Sequence, residues 1–260
     1  MQPGLPRPER VMINRRKEST WYQERELESR RLSGRREQVQ GYEIYDALQT
    51  VALSSYIFEK NHDDLEVFIK RCESYMPMVR VPAYRNQAFL IELSRLLHNH
   101  CAAAYSLQQH IDIFQKQVQN EGFHRDLTAR FAEAGKDDGG RFFQSLRTYL
   151  QHYSVPPVGS ELLYEEAPGV PLLDPTQTLV LNADDLLKWN GWSSQAGKFI
   201  RESGGQIPLR VSAQRHCELV LAVYSWMWRQ ARDLHEDAFA ALDEIGKQMA
   251  ALYDWQAPRG

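Results

Sequence analysis

The 260-residue sequence has only three cysteines, Cys72, Cys101 and Cys217, widely spaced and odd in number. No CxxC pair occurs, so neither a zinc ribbon nor a disulfide framework is indicated. Reduced, largely buried thiols in a cytoplasmic protein are the expectation. Long apolar runs are missing as well. The richest segment, 217–228, is interrupted by Glu218 and Ser225 and is too short to span a bilayer. The opening MQPGLPRPER has no apolar signal core, so no membrane association is expected. Nor is there a Walker loop, a Gly-rich dinucleotide turn, a GxSxG elbow or an HExxH helix. No cofactor and no metal are therefore expected. Apart from a Pro-rich start, no low-complexity tract or repeat period is visible.

What is present is ordinary globular material, with 43% hydrophobic and 25% charged residues. The overall charge of −3 conceals an asymmetry. Residues 1–40 hold ten Arg or Lys against six Glu, a net of +4, so residues 41–260 carry −7. A mildly acidic body is not the footprint of a protein that grips duplex DNA along a broad face. The arm 1–40 could touch RNA, an acidic partner or a membrane surface, but its charges alternate in sign around Arg25, Glu26, Glu28 and Arg30. A solvated helix or a partly disordered arm accounts for that pattern.

Beyond the arm the chain reads as helices. Apolar spacing predicts one over 42–60, closed at Asn61, and another begun by Asp63 and Asp64 that runs to about Met76. The clearest signal lies between 89 and 118. Positions 89, 93, 96, 100, 104, 107, 111, 114 and 118 hold Phe, Leu, Leu, His, Ala, Leu, Ile, Phe and Val. Every step is three or four, which defines one long amphipathic helix. A shorter helix is expected over 123–134, a glycine turn over 136–140, and a further helix over 141–153 ended by Pro156 and Pro157. Strand-like composition at 162–165 and 178–181 predicts a small β-hairpin. Asn182 and Ser193 can cap short helices, and a helical region broken near Asp233 runs from 209 towards 252. The expected fold class is mainly α, a helical bundle with a small β-hairpin insertion. Its expected divisions are the arm 1–40, a bundle core 41–158, and a segment 159–260 packing on that core.

Candidate chemistry concentrates in one helix. His98 and Cys101 share a helical face, but no second ligand pair has a suitable spacing. His100 falls within the apolar stripe and reads as a satisfied core histidine. In the segment 142–153, FFQSLRTYLQHY, Arg147 is followed by His152 after four intervening residues. Arginine followed by histidine after four to six steps occurs four times, at 95/100, 147/152, 210/216 and 229/235. Spacing alone therefore does not single out a pair. With Leu146 central to the buried stripe, Arg147 sits near +100° and His152 near −120°, at about 100° per residue. Thr148 and Gln151 lie between them on one polar face. The other three pairs are taken as accidental.

This Arg-x4-His segment resembles the signature of the HEPN superfamily, helical domains that often act as metal-independent ribonucleases in toxin–antitoxin and phage-defence systems. The resemblance centres on 84–158, and the later LLKWNGW segment ending at Trp192 is similar to the same group of bacterial helical proteins. It implies an endoribonuclease in which His152 moves the proton of a 2′-hydroxyl or of the leaving oxygen. Arg147 would stabilise charge on the phosphate with its planar fork. A homodimer that brings two motifs together is also implied. Thr148 departs from the polar amide often found after the arginine. The alternative is a non-enzymatic α-helical protein-interaction module, with Arg147 and His152 as solvated or capping cations near a helix C-terminus. Tryptophans 189, 192, 226 and 228 are expected in a core or an interface rather than on a base-stacking surface.

Overall fold

The computed structural model describes residues 8–75, 87–163 and 176–253. Among these the fold is mainly α, with helices α1 (Pro8–Glu37), α2 (Tyr42–Tyr75), α3 (Gln87–Gln115), α4 (Glu121–Ala134), α5 (Asp138–His152), α6 (Ala183–Leu186), α7 (Ser194–Glu202), α8 (Leu209–Leu234) and α9 (Glu236–Tyr253). Strands β1 (Val158–Leu163), β2 (Thr176–Asn182) and β3 (Gln206–Pro208) form one antiparallel sheet in that order. No described helix is long and apolar enough to cross a membrane.

The chain divides into two compact units, one formed by residues 1–46 with 231–260 and the other by 47–230. These divisions differ from those expected at 40 and 158. In the first unit α1 is a helix rather than a loose arm, and it lies against α9. Leu32 is buried there, and the Arg25 guanidinium donates to the Leu252 carbonyl. The Tyr45 hydroxyl donates to Asp243 at 2.7 Å, and Arg232 donates to the other oxygen of that carboxylate at the same distance. Burial and the neighbouring carboxylate push the Tyr45 phenol up to about 12.

In the second unit α2 runs unbroken through Asn61, where the local signals predict a boundary between two helices. Asn61 donates its side-chain amide to the Ile57 carbonyl four residues back, and Lys60 pairs with Asp63 at 2.9 Å. Both contacts thereby support the helix at the point where it is expected to end. The last position expected in that stretch, Met76, lies outside the described residues. The stripe of α3 is buried from Leu93 to Phe114, as its spacing predicts. Asn120 caps α4 by accepting from the Phe123 N–H at 2.8 Å, and Asp137 caps α5 by accepting from the Gly140 N–H. Helix α5 therefore begins inside the expected glycine turn.

The hairpin forms with Ser160 opposite Leu179, and β3 extends it through Ile207 opposite Leu181. Its expected loop and Glu165 lie outside the described residues. Gly204 and Gly205 supply the positive φ values, 71° and 92°, that turn the chain from α7 into β3. Glu73 joins three elements, accepting from the Leu179 N–H at 3.3 Å and from Arg210 at 2.8 Å. The core holds Leu65, Leu93, Leu97, Phe142, Leu146, Leu181 and Ile200.

Candidate functional site

Helix α5 carries Arg147 and His152, the two residues the sequence singles out. Its apolar side, with Phe142, Phe143, Leu146 and Tyr149, is buried, which leaves Thr148, Gln151 and His152 exposed. Arg147 is half-buried. Its guanidinium lies 3.9 Å from the centre of the Tyr105 ring, and its Nε is buried with no hydrogen-bond partner. Burial of that kind is costly for a cationic group unless a partner is supplied.

The two residues face different hollows. His152 borders a shallow surface depression with Ser94, His98, Gln151 and Val155. There Gln151 and His98 approach to 3.4 Å. Arg147 instead lines a separate, partly open cavity of about 130 Å³ between α3, α4, α5 and α8. Within one copy of the chain, Arg147 and His152 are thus on one helix but not in one site.

The Arg147 cavity is walled by Ala104, Leu107, Ile111, Phe143, Leu219 and Val223, with Cys101 and His216 also on its lining. Arg141 lines the same cavity, holds Gln144 at 3.0 Å, and likewise has a buried Nε without a partner. Among the described residues no aspartate or glutamate lines it. Burial pushes the Cys101 thiol up to about 12, with only partial opposition from Arg147, so it is an inert lining residue rather than a nucleophile.

Beside this cavity lies a cluster that helical spacing does not assemble. His100 Nε2 and His216 Nδ1 are 3.0 Å apart, and the His62 and His100 rings are centred 5.4 Å from each other. His62 Nε2 reaches Gln214 Oε1 at 3.0 Å. Phe143 stacks on His216 with centroids 4.5 Å apart and planes 8° from parallel. Burial, then the neighbouring histidines, hold His100 well below the ordinary imidazole value. Burial and His62 push His216 down to about 3, against the opposing field of Asp137. Both rings are therefore neutral. His100 is in the core, as its stripe position requires, but only half satisfied, because its Nδ1 has no partner. His216, one of the histidines in the repeated Arg/His spacing, is a buried residue packed on Phe143.

Of the tryptophans, Trp189 and Trp192 pack beside Phe142 and Tyr149, with Trp192 stacked on both at centroid distances of 5.7 and 5.4 Å. Trp226 stacks on Phe123 and lies beneath Arg130. A last feature is a helix face that no described residue covers. Along α2, Leu53, Tyr56, Ile57 and Val67 are 61%, 57%, 47% and 66% exposed. The chain matches no family model, no curated protein and no solved structure.

Proposed function

We propose that this chain is a non-enzymatic helical interaction module that works as a homodimer, paired through the exposed face of α2. The observation that carries the reading is the pattern on that face. At about 100° per residue, positions 53, 57, 60, 64, 67 and 71 fall within about 40° of a single line. They hold Leu, Ile, Lys, Asp, Val and Arg, and Tyr56 stands beside them. Three large apolar side chains on one solvent-facing stripe, with Tyr56 beside them, are more than the scattered exposure of an ordinary helix.

The same stripe is complementary to itself. A two-fold axis at residue 62 sets two α2 helices antiparallel and brings Lys60 level with Asp64 of the second copy, twice over by symmetry. It also sets Ile57 level with Val67 of the second copy, so apolar groups flank the charged pairs. The free thiols Cys72, Cys101 and Cys217 suit a reducing compartment such as the cytoplasm.

Light scattering on the eluting protein should give twice the chain mass, and Ile57→Glu should give the single mass. Lys60→Asp and Asp64→Lys should each raise the dimer Kd by roughly tenfold, because each reverses two contacts worth about 0.5–1 kcal/mol. An equimolar mixture of the two charge variants should dimerise again, since in the mixed pair every charge at position 60 faces its opposite at position 64. A wild-type chain that stays single at high concentration, or a mixture no tighter than its components, would remove this face as the interface.

A second reading, a metal-independent endoribonuclease of a defence or toxin-type system, is favoured by the unpartnered Arg147 Nε and the exposed His152 on one helix. Because the two residues line different hollows, cleavage would need an RNA strand running along α5 or a site completed by a second copy. Arg147→Ala and His152→Ala should then each abolish cleavage, and the activity should survive EDTA and leave a 2′,3′-cyclic phosphate. His235→Ala serves as the control, whereas His216→Ala does not, because His216 is buried in the core. If several RNA classes, transfer RNA included, remain intact, this reading fails and the interaction module stands alone.

A further inference from the structure

We infer that the cavity between α3, α4, α5 and α8 is a binding site for a small organic carboxylate with an apolar body. The inference needs neither the dimer nor the ribonuclease reading. Its first support is the paired guanidinium groups. Arg141 and Arg147 line one cavity, and among the described residues no carboxylate lines it to neutralise them. Two half-buried cations lining one apolar space without an anion leave their charge uncompensated. An anion in the cavity would supply the missing counter-charge, and the planar guanidinium fork matches a carboxylate edge.

The second support is that both arginines are held in place. Arg147 lies against the Tyr105 ring at 3.9 Å, and Arg141 is tethered to Gln144 at 3.0 Å. Neither contact uses the Nε. Pre-positioned donors of this kind lose little side-chain freedom when a ligand arrives. Structural arginines elsewhere in the same unit look different, since Arg210 and Arg215 use their Nε to bond Glu73 and Asp137 at 2.8 and 3.2 Å.

The third support concerns the rest of the wall. Leu107, Ile111, Leu219 and Val223 present hydrocarbon, and the neutral His216 adds no charge. A hydrated inorganic ion gains nothing from such a lining, but a ring or short chain does. The volume of about 130 Å³ is close to that of a cavity that accepts benzene. The ligand class is therefore an aromatic or medium-chain monocarboxylate of about six to ten carbons, with its head at the arginines and its body against α3 and α8.

The test uses the whole chain and calorimetric titration, with benzoate and octanoate as the probes. Octanol, which has the body without the charge, and inorganic phosphate, which has charge without the body, are the controls. At least one carboxylate should bind with one-to-one stoichiometry and raise the melting temperature, and both controls should bind at least tenfold more weakly. Arg141→Gln and Arg147→Gln should each weaken carboxylate binding tenfold or more while leaving circular dichroism unchanged. Arg141 belongs to no other role proposed for the chain, so loss of binding in that variant is separable from any effect on RNA cleavage. Should a glutamine variant unfold, Gln144→Ala provides a second route, because it frees Arg141 without removing charge and should change affinity by severalfold. No binding by either probe at millimolar concentration overturns the inference. So does phosphate binding as tightly as the carboxylates, or carboxylate affinity indifferent to both arginines.

Discussion

Phe142→Ala is expected to cost the unit formed by residues 47–230 about 3–5 kcal/mol, the range for emptying a fully packed phenylalanine site. Phe142 is completely buried. Its ring is 5.4 Å from Phe143, 5.7 Å from Trp192 in a stacked arrangement, and 5.2 Å from Phe199, so it joins α5 to α7 and to the segment between α6 and α7. Trp192 has little freedom to fill the gap. It is stacked on Tyr149 and donates its indole N–H to the Leu186 carbonyl at 2.7 Å. The cavity would therefore stay open, and the loss should lie toward the upper part of the range. Tyr153→Ala, at a half-exposed ring on the residue that caps the same helix, should cost less than about 1 kcal/mol. Urea unfolding followed by tryptophan fluorescence measures both, provided the slope is unchanged between variants. A Phe142→Ala loss below about 1 kcal/mol would mean that this aromatic cluster is not packed as described.

That cluster and the histidines show which parts of the molecule a sequence can reveal. The α3 stripe is readable because each of its apolar positions is fixed by helical period alone, and Leu93, Leu96, Leu107, Ile111 and Phe114 are all buried. The expected break in α2 rests on local signals at Asn61 and Asp63. A longer-range signal outweighs them. Positions 48, 51, 55, 58, 62, 65 and 69 step by three or four throughout, and all are buried. Reading the stripe through His62 keeps the helix whole. The same step places His62, His100 and His216 each on the inward face of its own helix. Their meeting depends on packing between residues as much as 154 positions apart, which helical period does not encode. Arg147 illustrates the converse. Period places it on a polar face, but its long side chain leaves that face to stack on Tyr105 and line a cavity that His152 does not share. β3 escapes notice in the sequence because three residues carry too little alternation to register.

The buried histidine pair should make the fold unusually sensitive to mild acid. In the folded chain His100 is held well below 6.5 and His216 is pushed down to about 3, so both are neutral across the ordinary range. Once unfolded, each regains the ordinary value of about 6.5 and takes up a proton below it. The unfolded state then binds more protons than the folded one, so stability is full above about pH 6.5 and declines as pH falls below it. Each histidine contributes a slope of up to about 1.4 kcal/mol per pH unit until its folded value is reached. Between pH 6 and pH 5 the pair should therefore remove about 2 kcal/mol, a large share of a marginal stability. Asp243, whose carboxylate is held below its usual range by Arg232 and Tyr45 despite its burial, contributes only in stronger acid. The groups around the pair do not reverse the sign, because His62 disfavours charge on both rings and Asp137 only partly offsets that on His216. Urea midpoints measured at half-unit steps from pH 7.5 to 4.5 would trace the decline. His100→Leu combined with His216→Leu removes both partners together, so neither nitrogen is left facing an empty site, and should flatten the profile between pH 6.5 and 5 whatever it does to stability at pH 7.5. His152→Ala, at an exposed ring, should leave the slope unchanged. A wild-type profile that is flat from pH 7 to 5, or a double variant as acid-sensitive as wild type, would show that these two imidazoles do not carry the buried protonation cost assigned to them.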